Sequence, residues 1–121
     1  MTKEQMLKRT KAFALRVIKA VKALPKTDVS DVLGRQMLRS GTSVGANYRA
    51  ACRAKSTSDF VNKLKIVEEE CDETLYWMEL LVESETYPLR RLEPLMQEAE
   101  EILAIIVSAL RTTRIRQANH S

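Results

Sequence analysis

The chain has 121 residues, 45% hydrophobic and 30% charged, and its 20 Lys and Arg against 16 Asp and Glu give a net charge of +4. This length and composition fit one folded domain and exclude a disordered chain. The only histidine is His120, which excludes a histidine-based catalytic triad, an HExxH zinc site and a di-iron bundle, so we expect no metal, no cofactor and no enzyme activity.

The first predicted helix covers about residues 2–24. Thr2 can cap its N-terminus, with Gln5 as the partner of a capping box, and Pro25 ends it. One apolar stripe recurs at spacings of three and four: Met6, Thr10, Phe13, Val17, Val21 and Leu24.

The second predicted helix covers about residues 29–53 and has a helical pattern in Val29, Val32, Leu33, Met37 and Leu38. The small residues 40–47 that follow are also compatible with a loop or with a kink near Gly41. We favour a continuous helix, because Gly41 and Gly45 lie on one face, where a neighbouring helix can come close.

The third predicted helix covers about residues 58–83, with Ser56 or Ser58 as its cap. Its core stripe has near-heptad spacing: Phe60, Leu64, Val67, Cys71, Thr74, Met78 and Leu81. A short helical turn at 88–93 then precedes a fourth helix over about residues 94–113, with Pro94 at its first position and a stripe that ends at Leu110. Residues 114–121 are predicted to be a basic, flexible tail.

Four long helices with short loops and no strand signal predict an all-α, antiparallel up-down-up-down four-helix bundle in a single domain, residues 1–113. Two cysteines without a CxxC motif, no signal peptide and no apolar run of 18 residues favour a cytoplasmic protein that does not span a membrane.

Charge is divided unevenly between the two halves of the sequence. Residues 1–65 hold 15 Lys and Arg against 4 Asp and Glu, whereas residues 66–121 hold 5 against 12. The asymmetry fits an acidic partner for the first half, pairing between copies of the chain, or neutralisation of one half by the other within one fold.

The third helix carries apolar side chains beyond its core stripe, and one bundle can bury only one face of a helix. We therefore predict a homo-oligomer, unless the fourth helix shields Trp77. The candidate interface residues are Ile66, Tyr76, Trp77 and Leu80. The acidic residues 68–73 are expected to be a solvated face or, in a closed ring, a face that docks the basic face of the next subunit.

A basic surface on the first two helices makes nucleic acid a candidate partner, with contacts to phosphates that do not read sequence. A merely solvated lysine face remains the alternative, since no aromatic residues alternate with the cations. The candidate residues are Lys8, Arg9, Lys11, Arg16, Lys19, Lys22, Arg49 and Arg53.

The stretch from Gln36 to Asn47, followed by residues 53–56, Asp59-Phe60 and Leu75-Tyr76-Trp77, resembles the bacterial four-helix-bundle proteins that are also called 23S rRNA-intervening sequence proteins. The resemblance spans about residues 6–111. It departs where many members read Asn-Ile-Ala-Glu-Gly and this chain has Asn47-Tyr48-Arg49-Ala50-Ala51, so the acid of that motif is replaced by Ala50.

The resemblance implies an antiparallel four-helix bundle that assembles into a ring-like homopentamer, with no established enzyme activity. A related branch serves as the accessory protein of diversity-generating retroelements, which implies a reverse transcriptase or nucleic acid as a partner. We therefore expect a non-enzymatic oligomeric scaffold with a nucleic-acid-binding basic surface. The alternatives are a protein-docking adaptor, such as a reverse-transcriptase accessory protein, and a purely structural ring.

Overall fold

The computed structural model describes residues 1–120, which form four α-helices and no strand. The helices are α1 (Lys3–Ala23), α2 (Asp28–Cys52), α3 (Thr57–Glu83) and α4 (Leu89–His120). α1 packs on α2, α2 on α3 and α3 on α4, and α4 returns to α1. The backbones of α1 and α3 do not come close to each other, so these helices occupy diagonal corners of the bundle. The predicted all-α four-helix bundle is confirmed.

Local capping chemistry sets where the helices begin. The hydroxyl of Thr2 accepts from the backbone N–H of Gln5 at 3.1 Å, and the Gln5 side chain accepts from the backbone N–H of Thr2 at 2.8 Å. This is the predicted capping box. Thr27 caps α2 and Ser56 caps α3 in the same way through their hydroxyls.

α4 is longer than predicted at both ends. It begins at Leu89 instead of residue 94, so the short turn predicted at 88–93 is part of the helix. Pro94 removes only the hydrogen bond to the carbonyl of residue 90, in the solvent-exposed first turns. The helix also continues past residue 113, because no Gly or Pro interrupts residues 114–120. The predicted tail is wrong for these residues, and Ser121 lies outside the described part of the chain.

α2 buries several small residues together with Met37 and Val44, and leaves other large apolar residues exposed. Its buried positions include Ser30, Gly34, Ser40 and Gly41, whereas Val29, Val32 and Leu38 are exposed. The helix is continuous through Gly41, as favoured from the sequence. A Cβ atom on Gly41 would lie 2.7 Å from Cγ1 of Val17, and one on Gly45 would lie 3.2 Å from the backbone oxygen of Thr10. The glycines therefore let α1 lie directly against α2.

The core is continuous along the bundle, and two of its buried polar side chains are bonded across helices. Thr74 of α3 donates to Ser40 of α2 at 2.8 Å, and the Cys71 thiol donates to the carbonyl of Ala99 on α4 at 3.2 Å. Burial raises the pKa of Cys71 to about 12, so this thiol stays protonated. Phe60 and Val21, predicted to be core residues, are only half-buried.

Candidate nucleic-acid interface

The lysines of α1 form an exposed row on the side of the helix that faces away from the core. Lys8, Lys11, Lys19 and Lys22 are all exposed, and Leu15 lies among them with 60% of its surface accessible. None of these lysines forms an ion pair within residues 1–120. The row is available for a partner outside the chain.

Arg9 has a different role from the neighbouring lysines. Its guanidinium donates to both carboxylate oxygens of Glu98 on α4, at 2.8 and 2.7 Å, and to Glu101 at 3.1 Å. The hydrogen bond from Arg9 holds the pKa of Glu98 below its ordinary value, and the same bond raises the pKa of Arg9. Arg9 therefore closes the seam between α1 and α4, and its donors are occupied within the bundle.

Arg39 makes the second ion-pair cluster, between α2 and α3. It donates to Glu70 at 3.2 Å and to Glu73 at 3.0 Å. The two clusters show that part of the basic half is neutralised by the acidic half within one chain. The remaining cations of α1 and of the end of α2 have no such partner in the described residues.

A basic groove runs between α1 and the second half of α2. Gly45 and Thr10 lie at its floor, where the helices approach most closely, and the groove has a volume of about 670 Å³. None of its described lining residues is Asp or Glu. Its cations are Lys3, Lys11, Arg49 and Arg53.

A second cleft, of about 940 Å³, opens at the end of the bundle where four helix ends meet. It shares Lys3 and Cys52 with the groove, so the two form one continuous basic surface. The cleft adds Lys55 and Arg116 to the cations of the groove, together with the side chain of His120, and no Asp or Glu among the described residues lines it.

Two aromatic side chains, Tyr48 and Phe60, also line this end cleft. Burial, together with the neighbouring Cys52, raises the pKa of Tyr48 to about 12, so its hydroxyl remains a neutral donor. Tyr48 and Phe60 belong to different helices, and the fold brings them into one cleft with the cations. The sequence does not single out Arg116 and His120, because it predicts a tail where α4 continues, and Lys3 joins the cleft only through the packing of the helix ends.

Of the eight residues predicted to contact nucleic acid, the groove gathers Lys11, Arg49 and Arg53. Arg16 and Lys19 lie apart from them, in a shallow cleft between α1 and the start of α4 that also contains Tyr87 and Arg91. The structure thus divides the predicted set among a groove, an outer lysine row and the α1–α4 seam.

The residues predicted to form a subunit interface lie at the edge between α2 and α3. Tyr76 is 52% exposed, whereas Ile66, Trp77 and Leu80 are half-buried, and Trp77 packs in part against its own core. Val32 precedes Arg39 by seven residues in α2, and Trp77 and Leu80 follow Glu70 and Glu73 by seven residues in α3. These three apolar residues therefore occupy the positions equivalent to the ion-pair cluster, two helical turns along the same edge. An apolar surface thus continues the line of the ion pairs.

Within residues 1–120, no group of three or more His, Cys, Asp and Glu side chains is placed to hold a metal ion. In the same residues, no helix combines the length and the hydropathy that a membrane span needs.

Comparison with known proteins gives a family and a structural relative. The family of the 23S rRNA-intervening sequence protein matches residues 2–108. A crystal structure of a protein with unknown function from the S23 ribosomal protein family of Bacteroides thetaiotaomicron is 36% identical, with a TM-score of 0.85. The match covers 92% of this chain and 99% of that one. No curated protein matches the chain.

Proposed function

The chain belongs to the 23S rRNA-intervening sequence protein family, and from that premise we propose that it is a non-enzymatic scaffold that assembles with copies of itself and binds RNA or DNA. The nucleic acid lies on the basic groove between α1 and α2 and on the end cleft that continues it. The protein acts in the cytoplasm, as five copies in a ring.

The observation that carries the proposal is a continuous surface with many cations and with no Asp or Glu among the described residues that line it. Six Lys and Arg side chains line the groove and the end cleft, and none of them forms an ion pair within residues 1–120. Elsewhere in the bundle, in contrast, Arg9 and Arg39 are each paired with acids. The six unpaired side chains of the groove and the end cleft are Lys3, Lys11, Arg49, Arg53, Lys55 and Arg116.

A phosphate backbone is the ligand that suits this surface. Lys and Arg along a groove neutralise successive phosphates and release the counterions around them, which gives affinity without sequence specificity. Repetition of the groove around an assembly multiplies the effect, since several grooves can hold one strand. Tyr48 and Phe60 in the end cleft offer faces on which bases of a single strand can stack.

Self-assembly is supported by apolar side chains that the single bundle leaves at its surface. Tyr76 and Val32 are more than half exposed, and the half-buried Trp77 and Leu80 lie beside them. Aromatic residues of this kind are enriched where protein subunits meet.

The test is binding of fluorescent single-stranded and duplex oligonucleotides, RNA and DNA, measured by anisotropy at 50 and 200 mM salt. We expect binding at low salt that weakens at least about tenfold at 200 mM salt, because several phosphates are neutralised. Reversal of two groove charges, Arg49→Glu with Arg53→Glu, should weaken binding by a further factor of about 100.

The matched control reverses two exposed arginines away from the groove, Arg35→Glu with Arg90→Glu, which changes the net charge equally. It should retain most of the affinity. No binding at 50 mM salt would overturn the proposal, and equal losses in the two variants would overturn the assignment to the groove. Capture of a protein partner that is insensitive to nuclease, together with no oligonucleotide binding, would favour the adaptor alternative.

A further inference from the structure

The outer faces of α1 and α3 point in opposite directions. Each helix packs on α2 and α4, and the backbones of the two do not come close to each other, so they lie at diagonal corners. Both helices also run the same way, since consecutive helices joined by short loops are antiparallel. A partner on the α1 face therefore leaves the α3 face free for another one.

The outer face of α1 has an exposed apolar residue at its centre and charges at regular intervals around it. Leu15 is preceded by Lys8 and Lys11, seven and four residues earlier, and followed by Lys19 and Lys22, four and seven residues later. Because seven residues make nearly two helical turns, these side chains share one face. One acid begins the row, Glu4, eleven residues before Leu15.

The outer face of α3 repeats this spacing with the opposite charges. Tyr76 takes the place of Leu15, with Glu69 and Asp72 seven and four residues earlier and Glu83 seven residues later. Leu80, beside Glu79, stands four residues after Tyr76. One base begins this row, Lys65, again eleven residues before the central aromatic.

The two faces match residue by residue when they are laid parallel. Leu15 then meets Tyr76 of a second copy, and Lys19 meets Leu80 with Glu79 next to it. None of the charges in either row forms an ion pair within residues 1–120. The charge pairs are Glu4 with Lys65, Lys8 with Glu69, Lys11 with Asp72, and Lys22 with Glu83.

Contacts inside the bundle show that the paired residues of α1 and α3 lie at similar heights along the bundle axis. The second copy therefore needs little translation along that axis. Arg9 reaches Glu98 on α4, and Cys71 bonds Ala99 on α4, so Arg9 and Cys71 lie at nearly the same height. The pairing places Arg9 opposite residue 70 of the second copy. Val17 packs against Gly41 of α2, and the neighbouring Ser40 bonds Thr74 of α3, so Val17 lies near the height of Thr74. The pairing places Val17 opposite residue 78 of the second copy, which is about one helical turn farther along α3.

We propose that copies of this chain assemble by packing the α1 lysine row of one copy, parallel and in this register, onto the acidic α3 row of the next. The inference rests on the self-assembly part of the proposed function and names its interface. Such a contact joins two different surfaces, and a rotation with little translation along the helices closes it into a ring. The outer lysines then bind protein. Lys11, which also lines the groove, is taken by Asp72 of the next copy, so nucleic acid is left to the other cations of the groove and the end cleft.

The test is exchange of charge between the two rows, followed by analytical ultracentrifugation of nuclease-treated protein. The first variant is Lys8→Glu, Lys19→Glu and Lys22→Glu, and the second is Glu69→Lys, Glu79→Lys and Glu83→Lys. Each alone should raise the concentration for half-assembly at least about tenfold, because like charges then face each other. Circular dichroism checks that each variant is folded.

The decisive measurement is whether assembly recovers when the two sets of changes are combined. A mixture of the two variants should associate, and a chain carrying all six changes should assemble as the wild type does. The control Arg35→Glu, Arg90→Glu and Arg111→Glu changes the charge as much as the first variant and should assemble normally.

Wild-type assembly by both single variants, or folded variants that fail to recover in the mixture and in the six-change chain, would overturn this interface while self-assembly stands. A monomeric wild type would overturn the interface and self-assembly together. Oligonucleotide binding by the groove is measured separately and can survive either result.

Discussion

α1 is held by its two neighbours in opposite ways. Against α2 it packs on glycines, and a Cβ on Gly41 would come within 2.7 Å of Val17. Against α4 it is closed by Arg9, whose side chain spans the gap to Glu98, and a shallow cleft remains farther along the same seam. The first contact excludes added atoms, and the second depends on charge. The α1–α2 seam should therefore be sensitive to volume and the α1–α4 seam to pH.

The largest expected effect comes from filling the α1–α2 seam. Gly41→Leu should lower the free energy of unfolding by about 3 kcal/mol, because the new side chain must displace the stiff Val17 or separate the helices. Urea unfolding followed by circular dichroism measures the change. Ala46→Leu, at an exposed position of α2, is the matched control and should stay within about 0.5 kcal/mol of the wild type.

A double variant sharpens this result. Gly41→Ala combined with Val17→Ala should be more stable than Gly41→Ala alone, since removal of the Val17 methyls makes room for the new Cβ. A Gly41→Leu protein as stable as the wild type would show that the seam can open without loss.

A smaller effect is expected from breaking the α1–α4 seam. Arg9→Ala should lower the free energy of unfolding by about 1–2 kcal/mol, because Glu98, only 17% exposed at its side chain, loses its charged donor. The neighbouring exposed Lys8→Ala serves as the control, and a change of less than about 0.5 kcal/mol is expected there. Equal effects of the two substitutions would mean that Arg9 does not close the seam.

The smallest expected effect is a pH dependence of stability that comes from the α1–α4 seam and not from the α1–α2 seam. The pKa of Glu98 is lower in the folded chain than its ordinary value of 4.5, so its contribution is fully present above pH 4.5 and is lost as the pH falls through the folded pKa. The stability difference between wild type and Arg9→Ala should therefore narrow between pH 7 and pH 3. The difference between wild type and Gly41→Leu should stay constant, and parallel behaviour of both would contradict the comparison.

The sequence correctly predicted those features of the fold that depend on residues close together in the chain. The Thr2–Gln5 capping box, the four helices and the continuity of α2 through Gly41 follow from residues a few positions apart. Which face of α2 points toward the core does not follow from such local patterns. Val29 and Val32 have the hydropathy of core residues, yet they face outward, because the face of α2 that meets α1 is the one that carries Gly34, Gly41 and Gly45.

The candidate site depended more on tertiary structure. Arg9 carries the same charge as its neighbours, and only the fold shows that Glu98, 89 residues away, occupies it. The end cleft was missed because it requires four helix ends to converge and α4 to continue as far as His120. The apolar stripe of α4 stops near Leu110, so hydrophobic periodicity carries no signal for the helix beyond it.

The order of the helices around the bundle also bears on how fast the chain reaches its native state. Packing joins helices that follow one another in the sequence, and the seam between α1 and α4 alone brings the two ends of the chain together. Topologies with such a low mean separation between contacting residues fold in microseconds to milliseconds. We expect packing between consecutive helices to form early, with docking of the Arg9 seam as a late event.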